Sequence, residues 1–328
     1  VRVLIVKTSS MGDVVHALPA VSDLAKRFPG ATIDWVVEEQ FAEIPRLHGK
    51  VARVIPIALR RWRGQLYLPS TWRQIRAARR MLRERRYERI LDLQGLVKSA
   101  CVARWAHAPI AGPCGRSARE RAASWFYDRR ISVDPSLHAI DRNRLLAAGA
   151  FGYTVESPVD FGIRLPRLAA TVLRPWIGEQ RFALLLTNAS RASKLWPDEN
   201  WLAIEAWLAE QGLASVLVWG SERERAATLR RAARMHAARV APPAGLETLA
   251  VVCARAALVI GLDTGLTHWA AAVGAPTVGI FCDYDPAQVG LKADERRVNL
   301  GGVGDSPSSE DVIDAARHVL AAAAVAPG

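Results

Sequence analysis

A carboxylate placed where a strand turns into a helix is poised to take a proton, and Asp13 has that placement. It stands in Lys7-Thr8-Ser9-Ser10-Met11-Gly12-Asp13-Val14-Val15-His16, directly after the apolar run Val3-Leu4-Ile5-Val6. Ser9, Ser10 and Gly12 are consistent with a tight loop around a sugar. A helix N-terminus stabilises the ionised carboxylate and so weakens it as a base. A weak base still serves when an attacking hydroxyl becomes acidic only as its new bond forms, because the proton then leaves late. An acid that merely starts a helix is the competing reading of this turn alone.

A second turn offers the opposite charge. Gly261-Leu262-Asp263-Thr264-Gly265-Leu266-Thr267-His268 follows Ala257-Leu258-Val259-Ile260 and opens a helical stretch. Gly265 lets a backbone approach a ligand closely, and the free N–H groups of a helix start suit a diphosphate. His268, one turn further on, can reach the same anion. Taken singly, Asp263 is equally an N-cap and His268 a core histidine. Lys194 lies in the loop Asn188-Ala189-Ser190-Arg191-Ala192-Ser193-Lys194-Leu195-Trp196-Pro197, where it can hold phosphate oxygens; an exposed loop lysine is otherwise only solvated. Glu222 follows Val216-Leu217-Val218-Trp219 through Gly220-Ser221. A carboxylate there can accept from both ribose hydroxyls, or simply occupy a first helical turn. A carboxylate base facing an anion cradle across a cleft is what a two-domain sugar-nucleotide transferase needs.

The elements that must hold these turns are legible as alternation. Strands are expected at 2–6, 32–37, 53–57 and 89–93, and again at 182–187, 215–219, 257–261 and 277–281. Helices are expected at 13–28, 70–86, 96–106, 137–151, 197–211, 222–235, 245–254, 265–274 and 309–323. Such alternation gives parallel sheets with helices on both faces. Pro166 and Pro175 break the pattern between the halves. The length of 328 residues, half of them hydrophobic, suits two such domains. The expected plan is an N-terminal domain at 1–165, a linker at 166–180, a second domain at 181–308, and a helix at 309–328 that packs back on the first.

Charge narrows the partners. The formal net charge is +12, and residues 60–89 carry eleven arginines against Glu84 and Glu88. That segment suits a polyanion: nucleic acid, an anionic membrane face or a phosphorylated glycolipid. A solvated helix face is the plainer alternative. Arg60-Arg61-Trp62-Arg63 is expected in a loop, with Trp62 available to pack on a ring. No apolar run is long enough for a transmembrane helix, and no secretory signal is visible. Cys101, Cys114, Cys253 and Cys282 lack metal-ligand spacing and are expected as reduced, buried thiols. P-loop, Gly-x-Gly-x-x-Gly, His-Glu-x-x-His and Gly-x-Ser-x-Gly strings are all missing, which weighs against an NTPase, a standard NAD dehydrogenase, a zinc protease and an α/β-hydrolase. RNA-binding and zinc-finger patterns are missing too, so nucleic acid is not an expected partner.

These strings resemble those of the lipopolysaccharide heptosyltransferases, glycosyltransferase family 9. The likeness is carried by Val3 to Val14, Asp34-Trp35-Val36-Val37-Glu38-Glu39, Val54-Ile55-Pro56-Ile57, Gln94-Gly95-Leu96-Val97-Lys98-Ser99-Ala100 and Asp263 to His268, and runs to about residue 290. Arg60-Arg61-Trp62-Arg63 and Gln94 to Ser99 point to the branch that adds the first heptose. The resemblance implies a GT-B fold, two Rossmann-like domains facing across a cleft, and an inverting, metal-independent transfer without cofactor. The donor would be ADP-L-glycero-β-D-manno-heptose and the acceptor the inner Kdo of Kdo2-lipid A. By position, Asp13 is the implied base and Lys194 the diphosphate partner. Ala189, Ser190, Glu222, Ala244, Asp263, Thr264, Gly265 and His268 fall on the donor side. Ser9, Ser10, Gly12, Arg60, Arg61, Arg63, Gln94 and Arg119 fall on the acceptor side. Where the family carries a Thr-Thr pair this chain has Ala189-Ser190, which leaves one hydroxyl. The expected protein is monomeric and cytoplasmic, in peripheral contact with the inner membrane. A family member with a different acceptor is the alternative of the same class.

Overall fold

The computed structural model describes residues 1–169, 172, 174, 176 and 180–325. The chain divides into two compact units, Val1–Arg164 and the part from Leu165 onward. The first holds β1 (Arg2–Val6), β2 (Thr32–Glu38), β3 (Val51–Ile57), β4 (Arg89–Asp92), β5 (Ile110–Pro113) and β6 (Arg129–Ile131), in the order β3-β2-β1-β4-β5-β6. The second holds β7 (Phe182–Leu186), β8 (Ala214–Leu217), β9 (Ala238–Val240), β10 (Leu258–Leu262), β11 (Thr277–Phe281) and β12 (Arg297–Gly301), in the order β12-β11-β10-β7-β8-β9. Neighbouring strands pair in parallel in both. Each is thus a doubly wound sheet of Rossmann order, the expected α/β class.

The central strands follow from their composition. Val3, Leu4, Ile5 and Val6 are at most 1% exposed, because helices cover both faces of a parallel sheet and each of these four positions points into a core. Leu258, Val259 and Ile260 of β10 are fully buried for the same reason. Four strands escape the apolar pattern: β5, β6, β9 and β12. β5 reads Ile-Ala-Gly-Pro, and a Cβ on Gly112 would lie 2.5 Å from the Tyr127 ring, so packing requires glycine there at the cost of the apolar strand pattern. β6, β9 and β12 are short or half-buried strands toward or at sheet edges, and arginine, alanine and asparagine suffice there.

Several expectations are corrected. The single helix expected at 13–28 is two, Met11–Val15 and Leu18–Arg27, because Pro19 has no N–H to continue the first. Arg60 to Arg63 do not form a loop but the short helix Leu59–Arg63. Trp62 in it is buried in the core of the first unit, with its indole N–H donating to Gln74 Oε1 at 2.9 Å, so it is not free to stack on a ligand ring. The helix Ser309–Val325 packs its Val312, Ala316 and Val319 into the core beneath β7 and β10 of the second unit. Of the expected linker, Pro175 lies outside the described residues, while Leu168 and Trp176 join the second unit's core. Only Cys253 of the four cysteines is buried; Cys101 is exposed, and Cys114 and Cys282 are partly so. The position of Trp62 carries a prediction. Trp62→Ala is expected to cost about 3–5 kcal/mol of stability in urea melts, the usual range for deleting a buried aromatic. A stable Trp62→Ala protein with an altered acceptor KM would instead restore the ring-stacking role.

Candidate active site

In a doubly wound sheet, ligands bind beyond the strand ends where the winding reverses. That point lies between β1 and β4 in the first unit and between β7 and β10 in the second. The turns singled out in the sequence sit at these two places.

In the first unit, Val6 pairs with both Val36 and Asp92, so the chain leaving β1 runs beside the chain leaving β4. Gln94 fixes the β1 turn: its Oε1 accepts from the Thr8 N–H at 3.0 Å and the Ser9 N–H at 3.1 Å. Asp92, fully buried beneath it, accepts from the Gln94 N–H, the Ser99 hydroxyl and the Tyr127 hydroxyl, each at 2.8 Å. Gln94 therefore shapes the loop that carries Ser9 and Ser10. Asp13 closes the turn. Its Oδ2 accepts from the Ser10 N–H and hydroxyl, both at 3.0 Å, so the helix-start reading of this acid also holds. Arg119 grips both oxygens, at 2.8 Å to Oδ1 and 3.3 Å to Oδ2. Lys7, which sequence reasoning left unassigned, is buried; its ammonium donates to Leu93 O at 2.8 Å and lies 4.0 Å from Asp13 Oδ1.

The electrostatics follow from this packing. Burial alone would raise the Asp13 carboxyl, but Lys7, Arg119 and the Ser10 bonds outweigh it and hold it at about 2. Burial pulls the Lys7 ammonium down to about 8, against the opposing pull of Asp13. Asp13 is thus ionised throughout the neutral range, and it presents a carboxylate beside a hydroxyl-lined loop.

The expected acceptor arginines are distributed differently. Arg119 belongs to the Asp13 site. Arg60, Arg61 and Arg63 are exposed, on the helix after β3. Arg61 already has its fork on a carboxylate, donating to Glu39 at 3.1 and 3.0 Å and to Gln74 at 3.0 Å. No hydrogen bond or ion pair joins these three to Asp13 among the described residues.

In the second unit, Asp263 is the hub. Lys194 Nζ donates to its Oδ2 at 2.5 Å and to its carbonyl at 3.1 Å, and His268 Nε2 lies 3.3 Å from Oδ1. Thr264, not Asp263, is the residue that precedes the helix Gly265–Ala272, so the N-cap reading of Asp263 fails. Burial works against the Asp263 carboxylate, but His268 and Lys194 bring its pKa below the ordinary range. Gly261 is needed behind this turn: a Cβ there would lie 2.4 Å from Thr267 Oγ1. Tyr284 and Asp283, which follow β11 and were not foreseen, brace the lysine loop. The Lys194 ammonium sits 4.7 Å from the Tyr284 ring centre, and the Ser193 hydroxyl donates to Asp283 at 2.9 Å. Their only sequence signal was polarity directly past an apolar strand.

The remaining positions expected on the donor side lie at the same end of the sheet without joining this group. Ala189 packs partly on the apolar core and Ser190 is exposed. Ala244 is exposed in the loop after β9. Glu222 opens the helix Glu222–Ala232 with its side chain 77% exposed, 3.4 Å from the Arg225 guanidinium. Among the described residues, no group of three His, Cys, Asp or Glu is placed to hold a metal ion.

Comparison with known proteins agrees with this architecture. Residues 75–313 match glycosyltransferase family 9 (heptosyltransferase). Lipopolysaccharide heptosyltransferase 1 of Pseudomonas aeruginosa is 41% identical over 303 residues, covering 92% of this chain and 83% of that one. The enzyme of the same name from Escherichia coli K12 is 40% identical over 291 residues, covering 88% and 90%. The solved structure of E. coli heptosyltransferase WaaC with ADP superposes with a TM-score of 0.86 at 36% identity, over 96% of this chain and 98% of that one. The fold is therefore GT-B, and the chain is a glycosyltransferase that belongs to family 9, the heptosyltransferases.

Proposed function

We propose that the chain moves L-glycero-D-manno-heptose from ADP-heptose to the inner Kdo of Kdo2-lipid A, with inversion and without a metal. The observation that carries this reading is the ionised Asp13 at the β1/β4 switch point of a family 9 member. The acceptor hydroxyl attacks the anomeric carbon as the bond to the diphosphate breaks, and that electron pair leaves with ADP. The hydroxyl proton passes to Asp13 late in the step, which suits a weak base. Lys194 keeps one N–H beyond the two it gives Asp263, and that donor meets the departing diphosphate. The Thr264-Gly265 amides and His268 supply the rest of the cradle. A relative supports the donor: WaaC has been solved with ADP-2-deoxy-2-fluoro heptose, at a TM-score of 0.82 to this chain.

Arg119 and the basic face at residues 60–89 orient an anionic acceptor at a membrane surface. No described helix is long and apolar enough to cross a membrane, so this reading gives the chain a peripheral place on the cytoplasmic face. Incubation with ADP-heptose and Kdo2-lipid A is expected to raise the glycolipid mass by one heptose; an unchanged glycolipid with folded protein overturns the proposal. EDTA is expected to leave the rate unchanged, because protein cations take up the leaving-group charge. Loss of transfer in EDTA and its return with Mg²⁺ would overturn the metal-free mechanism.

A further inference from the structure

Three arginines and no acidic residue line one cavity of the first unit. Its volume is about 490 Å³, and its walls are Cys114, Gly115, Arg116, Arg121, Ser124, Trp125, Arg130 and Ser132. It opens past the carboxyl ends of β5 and β6, because Cys114 follows Pro113 and Ser132 follows Ile131.

The cavity is built on a braced loop. The Cys114 N–H donates to Ile131 O at 2.8 Å, and Ser117 bridges to Val133 by donating to its carbonyl at 2.6 Å and accepting its N–H at 2.9 Å. Gly115 lets the wall close: a Cβ there would lie 3.1 Å from Arg121 Cγ and 3.4 Å from Ser124 Oγ. The same loop sends Arg119 to Asp13. Arg119 therefore has a carboxylate, whereas Arg116, Arg121 and Arg130 form no ion pair among the described residues. Trp125, 74% exposed, stands at the rim with a bare ring. All three arginines are exposed, and like charges gathered around one space repel each other and favour a multiply charged anion between them. Arginine forks match phosphate oxygens in bidentate pairs, and a phosphate monoester carries nearly two charges at pH 7. An exposed indole beside them suits a sugar ring or a lipid interface.

We propose that this cavity binds a phosphate monoester of the sugar-lipid acceptor. The inference rests on the reading of the chain as a glycolipid-modifying transferase, and adds a place for the acceptor's phosphate apart from Arg60, Arg61 and Arg63.

The test uses the whole protein and vesicles bearing Kdo2-lipid A or its phosphatase-treated form. Wild type is expected to bind the phosphorylated lipid about 10–100-fold more tightly, the worth of one or two charged hydrogen bonds. Arg121→Gln with Arg130→Gln is expected to lose that preference while keeping its affinity for the dephosphorylated lipid. Should the Gln pair melt early, Arg121→Lys with Arg130→Lys keeps the charge but removes the forks, and a partial loss is expected. A folded variant that retains the full preference overturns the proposal. Inorganic phosphate that stabilises wild type and not the variant, with no preference between the two lipids, assigns the cavity to free phosphate and also overturns it. Binding is scored apart from transfer. A preference that wild type shows and the variant loses, in a protein that transfers no heptose, sinks the transfer reading and upholds the cavity.

Discussion

Asp13→Ala is expected to lower kcat by about 10²–10⁴-fold, the usual worth of a positioned general base, with the donor KM nearly unchanged. The donor KM is expected to hold because the cradle proposed for the donor belongs to the other unit, at Lys194, Asp263 and His268. Asp13→Asn is the sharper variant. It keeps a group that can accept from the Ser10 N–H and hydroxyl, so the turn keeps its helix start while the base is gone. Both variants therefore lose turnover together, and only Asp13→Ala also loses the helix-start bonds. The pH profile is a second readout. With the carboxyl at about 2, Asp13 stays ionised far below neutrality, so it contributes no acid limb to the free-enzyme profile between pH 4 and 7. Near-normal turnover in Asp13→Asn, or an acid limb in that range that vanishes with it, would overturn the role or the electrostatics assigned here.

The parts of the site that were legible in the sequence are those where chemistry and local structure coincide. Asp13 and Asp263 each follow an apolar run that can only be a buried strand, and a doubly wound sheet delivers such positions to its switch point. The same logic could have found Lys7, the first polar residue after β1, and Asp92, the last residue of β4. What the sequence hid are the contacts that decide how a charged group is used. Arg61 and Arg119 are both arginines in basic stretches, yet one is held by Glu39 and the other grips Asp13 across 106 positions of sequence. Nothing in the spacing separates them. Trp62 misled for a related reason: a tryptophan between arginines resembles an exposed platform, but the short helix turns it inward while its neighbours face solvent. The C-terminal helix gave little signal because an Ala-rich face fits many partners; Val312 and Val319 are what join it to the second unit's core. β6 and β9 were hidden because edge strands need little hydrophobicity.

Lys194→Ala is expected to lower kcat by about 10²–10³-fold, the range for removing one donor from a developing anion, and to weaken ADP binding as well. Asp263→Asn separates aiming from charge. Asp263 is an anion and cannot itself bind a diphosphate; it holds the Lys194 ammonium by two contacts and faces His268 on its other oxygen. Neutralising it leaves the lysine charged but less firmly placed, so kcat is expected to fall less than in Lys194→Ala, with ADP affinity retained. Stability gives an independent check. The Asp263 carboxyl lies below its ordinary range in the folded chain, once the pull of His268 and Lys194 has overcome burial. Such a group stabilises the fold above the unfolded pKa, and that contribution is lost as pH falls through the folded pKa. Asp263→Asn is therefore expected to melt earlier than wild type at neutral pH, and the gap is expected to close on acidification. A gap that widens in acid would mean the carboxylate is not held by these cations. ADP affinity unchanged in Lys194→Ala and in His268→Ala, with both proteins folded, would mean that the diphosphate binds elsewhere in the second unit.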